Sequence, residues 1–229
     1  MPITLLRNLT EKEKSNAVEH LISASSPRQD FFLMIILSML MATFGLFLNS
    51  GAVIIGSMLI APILSPILSL ALGIVMADGK IIYLSLYTIL KSIIFGVAAA
   101  TLIALFLNHY SLTEEILART SPSLPYVAIA IIAGLAASFA LVKPQLNETL
   151  PGIAISVALI PPLAVTGIGI ARLDWHIISN SLIFFLVNAA GIIFSSIIIF
   201  SLMNFYAKRK VANKAVAREE KEIQKEKEL

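Results

Sequence analysis

Residues 49–78 form a long apolar stretch that also carries residues which interrupt helices. Its composition suits a membrane interior, yet Pro62 and Pro66 each remove a backbone donor and clash with the preceding helical turn. The stretch therefore predicts two short helices, residues 51–61 and 66–77, joined by an unwound link. Non-helical backbone survives at membrane depth only where protein buries it or where it lines a wet cavity. We therefore expect the functional site at this link.

The composition of the whole chain restricts the class of protein. It is 58% hydrophobic and 14% charged, and its charges collect in the two tails. This composition predicts an all-α polytopic integral membrane protein. The net charge of +3 is too small, and too concentrated in the tails, to indicate nucleic acid binding. The chain lacks cysteine and the sequence motifs of zinc, serine-hydrolase and phosphate-loop sites, so we expect neither enzymatic activity nor a cofactor.

The distribution of apolar and polar residues divides the chain into five parts. We predict a cytosolic or interfacial arm over residues 1–30, a first membrane repeat over residues 31–107, an external loop over residues 108–126, a second membrane repeat over residues 127–205, and a charged cytosolic tail over residues 206–229.

The second membrane repeat resembles the first. Residues 59–63 align without a gap with residues 159–163, which matches Pro62 with Pro162. Each copy then reaches an aspartate and a long apolar segment that contains the sequence Ile-Ile-Phe. The shared order of these features favours duplication over a chance match.

The basic residues predict the topology. Lysine and arginine are abundant in both the arm and the tail, so we expect both termini on the cytoplasmic side of the cell membrane. If each broken segment crosses once, the chain makes six crossings in an inverted 3+3 arrangement with two proline-broken helices. The alternative makes each broken segment a re-entrant hairpin, with four crossings and parallel halves.

Polar and helix-breaking residues near the two breaks are the candidate site residues. Ser65 followed by Pro66 is typical of a helix start, whose free N–H groups attract anions. Carbonyls freed by the prolines offer cation ligands instead, and the hydroxyl and amide side chains also have structural roles as caps or interhelical bonds. The candidate path residues are Asn49, Ser57, Pro62, Ser65, Pro66, Lys91, Asn147, Glu148, Pro161, Pro162, Thr166 and Asn188.

Lys91 is the cation that lies deepest in an apolar segment. It stands about ten residues, or roughly 15 Å, into its predicted span. A cation at such depth costs about 2.5 to 3.5 kcal/mol, so it is expected to face a cavity or a partner. The alternative is that its ammonium group snorkels to the interface. A lysine that faces the breaks favours a small anionic solute.

Several motifs together resemble a known family. They are residues 56–62, the Ser65–Pro66 pair, and later residues 150–152 and 159–162. These motifs resemble the uncharacterised hydrophobic membrane domain family, domain of unknown function 389, over roughly residues 31–205. The resemblance implies a membrane protein in which the broken helices are important, and it implies no particular substrate.

Two classes of function follow from these observations. The first is a transporter or channel-like protein for a small solute or ion, with its site at the paired broken helices. The second is a non-transporting membrane scaffold or sensor that acts through partner proteins bound at its tails. In either class the expected partners are the lipid bilayer and further copies of the chain in a homo-oligomer, without nucleic acid.

Overall fold

The computed structural model of the chain describes residues 10–107, 109–143, 146, 152–153 and 158–228. Within these residues the structure consists of helices and contains no strand. The helices are α1 (Glu11–Ala24), α2 (Gln29–Phe47), α3 (Gly51–Ile60), α4 (Leu64–Val75), α5 (Gly79–Phe106), α6 (Glu114–Leu117), α7 (Leu124–Val142), α8 (Ile160–Arg172), α9 (Trp175–Leu202) and α10 (Arg209–Glu228), with 3-10 turns at Ala118–Thr120 and Phe205–Lys208.

Four of these helices, α2, α5, α7 and α9, are each long and apolar enough to cross a membrane. Helices α3 and α4 form a pair bent by 51° that makes a fifth crossing if the pair is one span. The prediction of an all-α protein with several membrane helices is confirmed. Helix α8 is shorter, at 13 residues, and the chain just before it lies mostly outside the described residues. The count of six crossings therefore stays a prediction.

One end of the helix bundle, here called the tail end, is defined by contacts of α10. The Arg209 guanidinium lies 3.1 Å from the carboxylate of Asp78, the residue that precedes α5. Near the other end of α10, the Glu226 carboxylate lies 3.5 Å from the backbone nitrogen of Gln29, the first residue of α2. Helices α2 and α5 therefore both begin at the tail end.

The opposite end, here called the loop end, is defined by contacts of residues 109–120. The Thr113 hydroxyl donates a 2.6 Å hydrogen bond to the carbonyl of Leu46, near the end of α2. The Arg172 guanidinium, at the end of α8, donates to the carbonyl of Tyr110, which follows α5. Helices α2, α5 and α8 therefore all end at the loop end.

The direction of the remaining helices follows from these two sets of contacts. Helix α4 ends at the tail end because Asp78 lies there, and α9 begins at the loop end because it follows α8 directly. Helix α7 begins just after the loop-end residues and packs against α1. Compared in pairs, α2 thus runs opposite to α7, α4 opposite to α8, and α5 opposite to α9.

The turn between α4 and α5 has the same construction as the turn between α8 and α9. Asp78 and Asp174 each accept two backbone N–H bonds with one carboxylate oxygen, and each caps a helix of 28 residues. The preceding residues, Ala77 and Leu173, are left-handed with φ of 48° and 56°. The same chain reversal is therefore built twice, at opposite ends of the bundle.

The structural register of the two halves differs from the sequence alignment by four residues. Helices α4 and α8 begin 96 positions apart, and so do α5 and α9, whereas the gap-free sequence match assumed a separation of 100. Pro66, and not Pro62, therefore occupies the place of Pro162. The mismatch has a physical reason: a shift of about one helical turn leaves apolar residues on the same face, so the pattern hardly changes.

Small residues allow the membrane helices to approach closely. A Cβ atom on Gly134 of α7 would lie 2.1 Å from the Ser195 hydroxyl oxygen and 2.8 Å from the Ile192 Cα in α9. A Cβ on Gly167 of α8 would lie 2.9 Å from the Val97 carbonyl oxygen in α5. At these two positions the lack of a side chain allows α7 to pack closely against α9 and α8 against α5, the two longest helices.

The arm and the tail form a cap on the tail end. The buried side chains of α1, Val18, Leu21 and Ile22, pack where α1 lies against α4 and α7. Helix α10 lies beside α1 and buries Ala212 and Val216. The charged tail is therefore a docked helix.

Candidate functional site

The first break lies between the end of α3 and the start of α4. It comprises residues 61–63, of which Ala61 and Ile63 are buried. The Ser57 carbonyl, just before the break, accepts a 2.8 Å hydrogen bond from the hydroxyl of Ser38. Ser38 is the tenth of the 19 residues of α2, so the break lies near the middle of the bundle. The Ser57 hydroxyl itself donates to the Ile54 carbonyl of its own helix.

The start of α4 differs from the prediction in one respect. Ile63 precedes the helix with helical backbone angles and provides no side-chain cap, and the helix begins at Leu64. Ser65 is therefore its second residue, and the prediction that Ser65 caps a helix beginning at Pro66 is wrong. The first four N–H groups of any helix lack partners within the helix, so proline is tolerated at the third position.

The second break lies immediately before α8. Pro161 and Pro162 occupy the first turn of this helix. The Asn188 side-chain amide donates a 3.0 Å hydrogen bond to the Ala158 carbonyl in the break. Asn188 is buried and is the fourteenth of the 28 residues of α9, so this break also lies near mid-depth. Asn188 was predicted as a site residue, and the structure brings it to the second break.

Thr166 continues the polar contacts one turn beyond the prolines. Its hydroxyl lies 2.9 Å from the Pro162 carbonyl, to which it donates, and 2.8 Å from the hydroxyl of Ser181. Thr166 also borders an apolar groove of about 680 Å³ between α5, α8 and α9. The predicted residues Pro161, Pro162, Thr166 and Asn188 thus form one connected region.

The two short helices α4 and α8 begin inside the bundle and leave it in opposite directions. Each of them packs against both α5 and α9. The N-terminus of a helix carries about half a positive charge. Proline has no N–H group, so α8, with two prolines in its first turn, offers fewer donors there than an ordinary helix. The interior of the bundle thus holds two helix starts and the carbonyl groups that precede them.

The structure places Lys91 away from this region, between α2 and α5. Its ammonium nitrogen lies 4.3 Å from the ring centroid of Phe32, 5.5 Å from that of Phe95 and 5.6 Å from that of Tyr87. Phe32 is the fourth residue of α2, so the lysine side chain extends towards the tail end. Contacts of this kind contribute about 0.5 to 2 kcal/mol. Within the described part of the chain Lys91 belongs to this aromatic cluster and not to the breaks.

The other predicted residues divide between the loop end and the undescribed part of the chain. Asn49 has a left-handed backbone, with φ of 51°, and its side-chain oxygen accepts a 3.1 Å hydrogen bond from the Glu115 backbone. It therefore joins the end of α2 to the loop. Asn147 and Glu148 lie outside the described residues. Among the described residues no group of three or more acidic or histidine side chains is placed to hold a metal ion.

Three polar residues at the site were missed from the sequence. The Ser38 hydroxyl donates to the Ser57 carbonyl just before the first break, and the Ser181 hydroxyl contacts that of Thr166. The Thr101 hydroxyl lies 3.2 Å from the Gly167 carbonyl of α8. Each is a hydroxyl within an apolar span, which is the only signal that the sequence offers for them. Such hydroxyls are common in membrane helices, so the signal alone does not select these three.

Apolar helices of membrane-spanning length, with two short helices that begin in the bundle interior, define the class as a multi-pass helical membrane protein. The model of the family described as "Domain of unknown function (DUF389)" matches residues 58–194, and the chain belongs to this family. The resemblance seen in the sequence is thereby confirmed. The matched range begins in α3 and includes both breaks.

The chain is also similar to the uncharacterized protein MJ0678 of Methanocaldococcus jannaschii. The two are 34% identical over 169 residues, which is 74% of this chain and 52% of the relative. The chain thus spans about half the length of the curated relative that it matches. No solved structure matches the chain.

Proposed function

We propose that the protein is a transporter or channel for a small solute or ion, and that the solute passes the two breaks. The observation that carries this proposal is that α4 and α8 both begin inside the bundle and run to opposite ends of it. Discontinuous helices of this kind form the midplane sites of many secondary transporters. Irregular backbone at membrane depth also requires either burial or a wet cavity.

The proposal includes six crossings in an inverted 3+3 arrangement. The opposite directions of the two sets of helices support it, and so does the chain from 51 to 78. Asn49, just before α3, contacts the loop end, whereas Asp78, just after α4, contacts the tail end. This favours a crossing over a re-entrant hairpin. The basic residues of α10 support a cytoplasmic tail end, where α1 also lies.

A small anion is the first solute to test. The two helix starts supply a positive potential, although the prolines of α8 reduce the number of N–H donors. The Lys91 ammonium does not add to the argument, because aromatic rings of α2 and α5 surround it. Carbonyl groups at the breaks would favour a cation, so the measurement includes both signs of charge.

Ser65 provides the test of the path. A chain with Ser65→Cys has a single thiol, because the sequence contains no cysteine. Ser65 is only partly buried at the start of α4, so we expect this thiol to react with a hydrophilic, charged thiol reagent and the reaction to reduce solute flux into liposomes. The matched control is Ser195→Cys. Ser195 is fully buried where α9 touches Gly134 of α7, so its thiol should not react.

The outcome also decides between the two classes of function. Flux that falls when the Ser65→Cys thiol is modified, together with an inert Ser195→Cys chain, supports a path at the first break. If the folded protein passes neither anions nor cations and the Ser65→Cys thiol stays unreactive, the path is refuted. The alternative, a non-transporting scaffold or sensor that acts through partners bound at its tails, is then favoured. The contact between Arg209 and Asp78 supports that alternative, because it connects the tail to the helix bundle.

A further inference from the structure

The exposed face of α10 carries five cations in a single row, here called the basic stripe. Successive members are separated by four, four, three and four residues, which places all of them within about 80° of the helix circumference at 100° per residue. All five are exposed, and none has a salt-bridge partner among the described residues. The stripe consists of Lys210, Lys214, Arg218, Lys221 and Lys225.

The other side of α10 packs on the protein. Ala212, Val216 and Glu219 are buried where α10 lies beside α1. Glu226 is partly buried near the start of α2. The apolar side chains and Glu219 thus face the bundle cap, whereas the five cations lie in one row on the exposed side. Two glutamates, Glu220 and Glu222, are also exposed, outside this row. Lys214 and Arg218 border a groove that α10 shares with Glu19 of α1.

The position of α10 places the stripe at the edge of the membrane. The helix begins at Arg209, beside Asp78 at the start of α5, and reaches Gln29 at the start of α2 through Glu226. Both α2 and α5 are long and apolar enough to cross a membrane. A helix that connects the first residues of two such helices lies along the membrane surface and not along its normal.

Two tyrosines mark the same level independently. Tyr83 and Tyr87 lie in the first turns of α5, are 71% and 43% exposed, and stack with ring centroids 6.4 Å apart. Exposed tyrosine at the end of a membrane helix is typical of the headgroup region. The Lys91 ammonium reaches the rings of Tyr87 and Phe32, as a lysine that snorkels to this level does.

We propose that the basic stripe of α10 binds the phosphate groups of anionic lipids in the leaflet at the tail end. Five unpaired cations at headgroup level attract such lipids, and the attraction weakens with salt. An acidic protein segment would offer similar charge, but the position of α10 between the starts of two membrane helices favours the lipid surface. The inference is independent of whether the protein transports a solute.

The test uses a single thiol beside the stripe in the full-length protein. Ala217 is exposed and adjacent to the stripe, so Ala217→Cys carries a fluorescent label there. The protein is placed in bilayer discs of phosphatidylcholine alone or mixed with phosphatidylglycerol, each with a headgroup-bound quencher lipid. We expect roughly twofold or stronger quenching in the anionic discs, and we expect high salt to remove the difference.

Two further variants separate the stripe from net charge. The triple change Lys214→Gln, Arg218→Gln and Lys221→Gln should abolish the difference between discs. The pair Arg218→Glu and Glu220→Arg keeps the net charge but moves a cation off the stripe, and it should weaken the difference. Thermal unfolding of each variant confirms that the fold is intact.

Equal quenching of the parent label in both kinds of disc would overturn the proposal. So would a charge-preserving variant that behaves like the parent, because the response would then depend on net charge alone. A label that ignores both discs but responds to an added acidic peptide would assign the stripe to a protein partner instead, which also contradicts lipid binding.

Discussion

Replacing Gly134 by alanine should destabilise the protein by about 2 kcal/mol or more, because the added methyl group has no space. Its Cβ would lie 2.1 Å from the Ser195 hydroxyl oxygen and 2.8 Å from the Ile192 Cα. The serine can change rotamer, but the backbone of α9 cannot move without separating α7 from α9. Overpacking of this kind costs about 1 to 3 kcal/mol, and more when backbone must shift. Thermal and denaturant unfolding in detergent measure the effect.

Gly56 provides the matched control for this change. It is also a helical glycine, but a Cβ there would meet only the flexible end of Met41, at 3.3 Å. The Gly56→Ala variant should be neutral or more stable by up to about 1 kcal/mol, since alanine is the better helix former. Equal unfolding midpoints for the two variants would show that the contact between α7 and α9 is looser than described.

Replacing Asp78 by alanine should have the second largest effect and should release the tail. The Asp78 carboxylate caps α5 through the N–H groups of Lys80 and Ile81 and also binds Arg209. Loss of a cap costs about 1 kcal/mol, and the pair with the half-exposed Arg209 adds at most about 1 kcal/mol more. We expect lower stability together with faster proteolysis of α10.

Asp174 separates the two contributions. It caps α9 with the same geometry but has no arginine partner among the described residues. The Asp174→Ala variant should therefore lose the cap energy and leave proteolysis of α10 unchanged. If both variants expose α10 equally, the ion pair between Arg209 and Asp78 does not hold the tail.

The tail contact should also depend on pH. Burial raises the pKa of the Asp78 carboxyl, but hydrogen bonds from Arg209 and from the Ile81 and Lys80 backbone outweigh burial and hold that pKa below its ordinary value of 3.8. A carboxyl whose pKa is lower in the folded protein stabilises the fold fully above its unfolded pKa. This stabilisation is lost as the pH falls through the folded pKa. The contact should therefore be complete at neutral pH and be released only in acid below pH 3.8.

Local chemistry explains what the sequence predicted correctly. Proline interrupts a helix wherever it lies, so the break near Pro62 was found within a few residues. The sequence predicted the two short helices at residues 51–61 and 66–77, and the structure has them at 51–60 and 64–75. The long helices were found because runs of about 20 apolar residues have few alternatives. These features depend on composition and on one or two residues at a time.

Contacts between distant segments explain what the sequence did not predict. The sequence shows how far Lys91 lies along its apolar segment, and for that reason Lys91 was expected near the breaks. It does not show that the lysine contacts Phe32, because Phe32 lies on another helix. The bond from Asn188 to Ala158 likewise joins residues 30 positions apart. The equivalence of Pro66 with Pro162 became visible only when the helices before the two aspartate turns were compared in the structure. The sequence alone did not reveal it, because an alignment of apolar residues shifted by one helical turn matches almost as well.

Sided labelling of single cysteines tests most directly the central claim that α4 and α8 begin near the membrane centre and run to opposite sides of it. Glu114, in the loop-end helix α6, and Glu220, in α10, are both exposed and suit replacement by cysteine in a chain without native cysteine. With a reagent that does not cross membranes, we expect intact cells to label Glu114→Cys, and Glu220→Cys to react only after the cells are opened. Labelling of both positions from the same side would contradict the opposed halves and, with them, the path between the two breaks.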